Sequence, residues 1–178
     1  MLRHMSGGYG PRPDLVISGR LRSREATAAI LRPMQASDVI QTLGMTAHPE
    51  GGWYAETWRA PIAMDGARPA ASAILYLLAD GERSHWHRVD AAEVWQWSAG
   101  EALELRVWQP GQAAVDTIRL GANLDDGDVP QAVVPAGAWQ AARALGAWAL
   151  VGCIVAPAFD FAGFELAHPG WEPPLPGV

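Results

Sequence analysis

The 178-residue sequence has no lysine, a single cysteine and no long apolar run. One cysteine excludes an internal disulfide and a cysteine cluster for zinc, and Cys153, inside the apolar run 148–158, is predicted to be a buried small hydrophobic residue. No segment approaches the roughly 18 uncharged apolar residues of a membrane span. We therefore expect a soluble, cytoplasmic protein with no membrane partner. Without lysine, all 13 basic residues are arginine, a bias from which no function follows.

Charges of both signs are present but unevenly placed. Residues 1–33 hold six arginines against two acidic residues, whereas residues 34–178 hold seven arginines against 17 acidic residues. The net charge of the chain is −6 at pH 7. This acidic main body argues against a surface that binds nucleic acid.

The two ends of the sequence differ from its middle. Residues 1–33 lack a periodic apolar pattern, and are predicted to be disordered or to be an extension that precedes a true start near Met34. A chain of this length suits a single domain, which we place at residues 34–168. Residues 169–178 are rich in proline and are predicted to form an extended, loosely held C-terminal tail.

Turn residues divide the main body into one short helix and many short strands. The helix is predicted over residues 36–43, with Ser37 or Asp38 as its N-cap and Gly44 as its end. The predicted strands are 53–59, 70–78, 84–89, 93–98, 102–109, 113–120, 131–134, 138–143 and 147–156. Many short strands at even spacing are typical of an all-β sandwich or barrel.

Residues 81–100 carry the strongest chemical signal. Because strand side chains alternate with period two, His85 and His87 are predicted to share one face, with Cα atoms roughly 6–7 Å apart. A turn at Asp90 would then bring Glu93 back beside them. Two histidines and one carboxylate are the ligand set of open non-haem iron sites, and zinc, nickel or manganese suit the set when a fourth ligand is added.

The same residues resemble the first motif of the cupin superfamily, which has a glycine, His-x-His, a glutamate and a closing glycine. Five residues separate His87 from Glu93, where most cupins have three or four. Residues 135–140, Pro-Ala-Gly-Ala-Trp-Gln, resemble the second motif, with Gln140 where cupins usually carry a ligating histidine. An amide oxygen is a weaker ligand than imidazole, so this difference predicts lower metal affinity.

Four segments resemble one branch of that superfamily, the cupin family 5 group, also called DUF985. They are residues 48–54, 84–95, 134–142 and 151–166. The resemblance implies an all-β cupin jelly roll, or double-stranded β-helix barrel, with a short N-terminal helix and a small-molecule pocket inside. It also implies a homodimer. It assigns no reaction, because the group has no common one.

The candidate site residues lie in or near this implied pocket. His85, His87 and Glu93 are the candidate metal ligands, with Gln140 as a weak fourth ligand or a hydrogen-bond donor behind them. His87 and Glu93 are also the candidate catalytic groups, with Tyr76 as an acid. Ligand contacts are predicted for Glu50, Tyr54, Arg59, Trp95, Trp97 and Gln140.

Two functional hypotheses follow. In the first, the protein is a divalent-metal-dependent enzyme that isomerises, epimerises or cleaves a small polar metabolite, such as a sugar derivative or a carbonyl acid. A metal-free variant of this hypothesis resembles the sugar epimerases of the superfamily, with His87 as the base and Tyr76 as the acid. In the second, the same pocket holds a small ligand without metal and without catalysis.

Overall fold

The computed structural model describes residues 33–62 and 67–174. The predicted disordered segment therefore lies outside the described residues, apart from Pro33. In chain order the elements are α1 (Ala36–Leu43), β1 (Thr46–Ala47), β2 (Trp53–Arg59), β3 (Ser72–Ala79), β4 (Arg83–Val89), β5 (Ala92–Gly100), β6 (Leu103–Trp108), β7 (Asp116–Leu120), β8 (Gln131–Val134), β9 (Trp139–Ala144), β10 (Trp148–Ala156) and β11 (Phe164–Leu166), with short 3₁₀ turns at Leu124–Asp126 and Phe161–Gly163. No helix within the described ranges is long and apolar enough to cross a lipid bilayer.

The strands form two antiparallel sheets. The first sheet has the order β1-β2-β3-β10-β5-β8, and the second sheet has the order β11-β4-β9-β6-β7. Buried side chains from both sheets meet in one core, among them Tyr76 and Trp95 from the first sheet and Leu105 and Ala142 from the second. The predicted all-β jelly roll with a short N-terminal helix is confirmed.

The predicted strands of the main body all occur, with bounds that differ by up to three residues. The two-residue strand β1 and the three-residue strand β11 were not predicted. Neither is long enough to show an alternating pattern, and each forms by pairing with an existing strand, β1 with β2 and β11 with β4.

Helix α1 covers part of the outer face of the first sheet, where Val39 packs in a cluster with Met45 and Leu77. The helix ends as predicted at Gly44, whose φ of 61° is the left-handed conformation that favours glycine. The predicted N-cap is wrong, because Gln35 takes that position. The backbone N–H of Gln35 donates to the carboxylate of Asp38 at 3.0 Å, so Asp38 caps from inside the first turn.

The C-terminal tail is held more firmly than its composition predicted. Trp171 packs on the outer face of the second sheet, with its ring centroid 4.4 Å from Trp139, 5.9 Å from Trp86 and 6.3 Å from Trp108. The indole N–H of Trp86 donates to Glu172 at 3.1 Å. Four aromatic rings therefore anchor the described part of the tail, residues 169–174, which has no helix or strand.

We expect Trp171→Ala to lower the free energy of unfolding by about 1–3 kcal/mol, because a half-buried indole and its aromatic contacts are lost. Urea denaturation measures this change. Val133→Ala, which truncates an apolar side chain that is 59% exposed, is the matched control and should change stability by less than about 0.5 kcal/mol. Equal effects for the two variants would show that the tail does not contribute to the fold.

Candidate functional site

A β-bulge in strand β4 determines which side chains enter the barrel. The register between β4 and β9 shifts between Ser84 and His87. Ser84 and His87 are buried inside the barrel, whereas His85 is exposed and lines a groove on the outer face together with Trp86. The prediction that His85 and His87 share a face is wrong, because the extra residue of a bulge breaks the period-two alternation.

A glycine turn brings Glu50 into the place beside His87. The pair Gly51–Gly52 has φ values of 108° and 69°, which glycine adopts without strain. The backbone N–H of His85 donates to the carbonyl of Glu50 at 2.8 Å, and the Tyr76 hydroxyl donates to the carbonyl of Gly51 at 2.6 Å. These bonds fix the turn so that the Glu50 side chain is directed inward and is only 5% exposed.

Four buried polar side chains form one connected cluster, the inner cluster, of Glu50, His87, Glu93 and Gln140. Oε2 of Glu50 lies 3.2 Å from Nε2 of His87. The Gln140 amide nitrogen lies 3.0 Å from the same His87 atom and donates to Oε2 of Glu93 at 2.6 Å. The amide oxygen of Gln140 accepts from the indole N–H of Trp95 at 2.9 Å. Every polar atom of Gln140 thus has a buried partner.

The contacts of His87 define its tautomer. Its Nδ1 atom lies 2.8 Å from the carbonyl of His85, which can only accept, so Nδ1 carries the proton. Nε2 of the neutral ring is then an acceptor, directed at the Gln140 amide and at Glu50. A hydrogen bond between Nε2 and Glu50 therefore requires a proton from the glutamate.

Burial sets the protonation of the inner cluster. It raises the pKa of Glu50 and of Glu93, because the charged carboxylate loses its hydration, and it lowers the pKa of His87 for the same reason. The positive charge that His87 could carry opposes the shift of Glu93, and the charge of Glu93 opposes that of His87. The shifts of these pKa values together favour a protonated, neutral Glu50 and a neutral His87. The proton of the Glu50 carboxyl then lies between Oε2 of Glu50 and Nε2 of His87.

A small cavity of about 100 Å³ opens onto these groups. It has room for several water molecules or for part of a small metabolite. Phe159 and Phe161 lie at its rim, and the ring of Phe164 lies 5.6 Å from that of His87 behind them. At the mouth, Arg59 donates to Glu56 at 2.6 and 3.2 Å and to the carbonyl of Phe159 at 3.0 Å.

The structure places the predicted site residues in three groups. Those that line the cavity are Glu50, Tyr54, Arg59, His87, Glu93 and Trp95. Gln140 and Tyr76 are buried beside the cavity but do not line it, and the ring of Tyr76 packs edge-on against Trp95. His85 and Trp97 lie elsewhere, since His85 is outside the barrel and Trp97 packs at the edge of the core, donating to the carbonyl of Glu101.

Three residues outside the predicted site lie in or beside the cavity. His48 lies edge-on to Tyr54 with ring centroids 4.8 Å apart, and burial lowers its pKa. Cys153 is buried and lines the cavity. Ser84 donates to Oε1 of Glu50 at 3.0 Å. Ser84 and His87 are three residues apart, so regular alternation along the strand would place them on opposite faces. The bulge between them puts both side chains inside the barrel.

The predicted metal set does not fit this geometry. His85 is outside the barrel, and the Gln140 amide donates to the two groups that would have been ligands, Nε2 of His87 and the carboxylate of Glu93. The oxygen of Gln140, the atom that could bind a metal, accepts from Trp95. Within residues 33–62 and 67–174, no group of three or more His, Cys, Asp or Glu side chains is arranged to hold a metal ion.

The two-sheet barrel and its inward-facing cluster are those of a cupin, and the sequence profile of a cupin superfamily branch, DUF985, matches residues 37–167. The chain therefore belongs to the cupin superfamily. Within it, the chain is a member of the DUF985 family, cupin family 5, as the resemblance implied. A comparison with curated proteins found no match.

Solved structures agree with this assignment. A protein of Shewanella oneidensis is 38% identical, with a TM-score of 0.72, over 76% of this chain and 85% of that chain. A hypothetical protein from Leishmania major is 30% identical, with a TM-score of 0.68, over 75% of this chain and 88% of that chain. Oxalate decarboxylase from Bacillus subtilis is 14% identical, with a TM-score of 0.50, over 67% of this chain and 29% of that chain, a likeness of fold alone.

We expect Gln140→Ala to lower the free energy of unfolding by about 2–4 kcal/mol, because it leaves the Trp95 indole N–H and the Glu93 carboxyl buried without partners. Urea denaturation measures the change. Gln131→Ala, an exposed glutamine on the edge strand β8, is the matched control and should cost less than about 0.5 kcal/mol. A Gln140 variant as stable as its control would contradict the hydrogen-bonded cluster.

The buried Glu50 carboxyl predicts a pH-dependent effect of Glu50→Gln. Since the folded pKa is raised above the ordinary value of 4.5, the stability that the protonated carboxyl contributes is full below about pH 4.5 and is lost as the pH rises through the folded pKa. A glutamine at position 50 has the shape of the protonated carboxyl but does not ionise. The Glu50→Gln variant therefore does not lose this stability as the pH rises. The stability of Glu50→Gln relative to wild type should therefore increase between about pH 5 and about pH 8.

Chemical denaturation at several pH values in this range measures that difference. Glu56→Gln removes an exposed carboxylate at the cavity mouth and should not gain stability relative to wild type as the pH rises. A difference between Glu50→Gln and wild type that is constant, or that shrinks with pH, would contradict a protonated Glu50.

Proposed function

We propose that this protein is an enzyme that moves protons on a small, neutral, hydroxyl-rich metabolite such as a sugar derivative, by isomerisation or epimerisation without a metal ion. The observation that carries the proposal is the 3.2 Å contact between Oε2 of Glu50 and Nε2 of His87, both buried and both lining the cavity. Burial raises the pKa of the Glu50 carboxyl and lowers the pKa of His87, which favours a protonated acid beside an unprotonated base, the pair that proton transfer needs.

The roles follow from the protonation that burial favours. His87, with Nδ1 bonded to a carbonyl, presents Nε2 as a base that can take the proton from a carbon next to a substrate carbonyl. Protonated Glu50 can donate to the carbonyl oxygen. The isomer forms when His87 returns its proton to the neighbouring carbon and the Glu50 carboxylate takes the proton of the resulting enediol's other hydroxyl group. The epimer forms when water protonates the opposite face of the same carbon, Glu50 takes back its own proton, and His87 releases its proton to solvent. The reaction needs no electron acceptor.

The sequence analysis gave the acid role to Tyr76, and the geometry favours Glu50 instead. The Tyr76 hydroxyl donates to the carbonyl of Gly51 and does not line the cavity. Burial raises the pKa of Tyr76 well above its ordinary value, with the charge of Glu50 adding to the shift. Tyr76 therefore positions the turn that carries Glu50.

The charges around the cavity support a neutral ligand over a carbonyl acid. Glu50, Glu56 and Glu93 line it, and Arg59, the one arginine among the described lining residues, is engaged by Glu56. A carboxylate ligand would face two buried carboxyl groups and no free cation. Hydroxyl groups can donate to those oxygens, and the small volume accommodates one end of a sugar-like molecule while the rest extends past the aromatic rim.

Hydrogen exchange from solvent tests the proposal before the substrate is known. Three- to six-carbon aldoses and ketoses are incubated with the protein in ²H₂O, and proton NMR follows the C–H signal next to the carbonyl. We expect one or more members of the panel to lose that signal with wild type, and the rate to fall roughly 100-fold or more in Glu50→Gln and in His87→Gln, because each removes a general acid or base.

The exposed His168 provides the matched control, since His168→Gln changes the same residue type outside the barrel and should leave the rate unaltered. Binding is followed separately by saturation-transfer NMR. A sugar that binds wild type but exchanges no hydrogen would contradict catalysis and favour the non-catalytic binding module. Exchange that is equally fast in Glu50→Gln and His87→Gln would contradict the roles given to these residues.

A further inference from the structure

A second concave site lies on the outer face of the second sheet. It is a groove of about 450 Å³ between strands β4, β9 and β6 and the tail segment 167–172. The groove is larger than the inner cavity, and the bulge residue His85 lies along it. Nothing in the proposed proton-transfer function uses this groove.

The groove exists because a small residue lies in the middle of the sheet face. Ala141 on β9 lies opposite Arg106 on β6 and is flanked on the other side by the bulge that carries His85 and Trp86. A methyl side chain between larger neighbours leaves a depression. The Trp171 ring, held by the aromatic cluster of the tail, forms one wall of it.

An unbalanced row of charges crosses this face. Arg83 on β4 pairs directly with Arg143 on β9, which pairs in turn with Glu104 on β6. Glu104 accepts from Arg143 at 2.8 and 3.1 Å. Arg83 has no hydrogen-bond or ion-pair partner for its side chain among the described residues. Like charges directly opposite on neighbouring strands repel, and Glu104 offsets the charge of Arg143 but forms no ion pair with Arg83.

A third arginine and two histidines lie along the same groove. Arg106 donates to Glu172 at 3.3 Å and lies 4.9 Å from the Trp86 ring, which orients its guanidinium. The imidazoles of His85 and His168 also line the groove. Three arginines thus face two glutamates here, a local positive excess on a chain whose net charge is −6.

We propose that this outer groove is a binding site for an oxyanion group, a phosphate or a carboxylate, held between Arg83 and Nη1 of Arg143, the nitrogen that does not donate to Glu104. Guanidinium groups are forks of N–H donors that match oxyanions in two-point contacts, and two of them in cross-strand register can share one such group. The aromatic wall at Trp171 accommodates an apolar part of the same ligand. The inference is independent of the proposed enzymatic function, because its residues lie outside the barrel.

Histidine NMR tests this proposal and separates the groove from the inner cavity. His85 and His168 line the groove, whereas His48 and His87 line the cavity, and single His→Gln variants assign the imidazole signals. Inorganic phosphate and succinate are titrated separately at low ionic strength, where surface electrostatic attraction is strongest. We expect saturable shifts of the His85 and His168 signals, and the anion that binds more tightly identifies the source of the oxyanion.

The matched variants are the double substitution Arg83→Ala with Arg143→Ala and the single substitution Arg59→Ala at the cavity mouth. The double variant should weaken binding by about tenfold or more, since two charge-assisted contacts are lost. Arg59→Ala should leave the affinity unchanged. Arg83→Ala alone, an exposed residue without a side-chain partner, should weaken binding with no loss of fold.

Three results would overturn the proposal. One is that neither anion shifts the His85 and His168 signals in a saturable way. Another is that the double arginine variant binds as tightly as wild type. The third is that the anion shifts the His48 and His87 signals and loses affinity in Arg59→Ala, which would place the anion in the cavity instead.

Discussion

The side chain of Gln140 joins the parts of this barrel on which the site depends. It extends from β9 of the second sheet, contacts Glu93 and Trp95 on β5 of the first sheet, and contacts His87 on β4. One neutral amide thus connects both sheets through buried hydrogen bonds, each stronger in a low dielectric than in water. Because all its donors and acceptors are used, the amide determines the orientation of the groups around it, including the His87 ring, whose Nε2 lies 3.0 Å from the amide nitrogen.

The bulge in β4 is the second constraint, and it divides one short segment between two surfaces. The side chains of Ser84 and His87 are buried inside the barrel, while His85 and Trp86 line the outer groove. The carbonyl of His85 accepts from Nδ1 of His87, and its N–H donates to the carbonyl of Glu50. The backbone of a residue whose side chain is outside the barrel therefore holds two residues inside it, which explains why a bulge is tolerated at this position.

Much of the fold could be predicted from the sequence, because glycine and proline turns separated strands long enough to show alternation. His87 and Glu93 were predicted to share a site from their spacing, Glu50 was predicted only as a ligand contact, and the family resemblance placed Gln140 beside them. The position of His85 could not be predicted, since a bulge leaves no local mark in the Ser-His-Trp-His segment. The anchored tail was likewise unpredictable, because the contact of Trp171 with Trp86, Trp108 and Trp139 joins residues far apart in the chain.

The stability cost of the inner cluster is itself an argument about its use. Two buried carboxyl groups and a buried imidazole lose hydration that their mutual hydrogen bonds only partly replace, and an apolar core of the same volume would avoid that loss. The hydrogen bonds of Gln140 to His87 and Glu93 reduce this loss of stability. They do not involve Glu50, so they do not explain why a second carboxyl group is buried there. Glu50 in particular requires a two-glycine turn, a bonded tyrosine and a bulged strand to reach His87. That so many separate elements are directed at one 3.2 Å contact supports the proton transfer that we propose there.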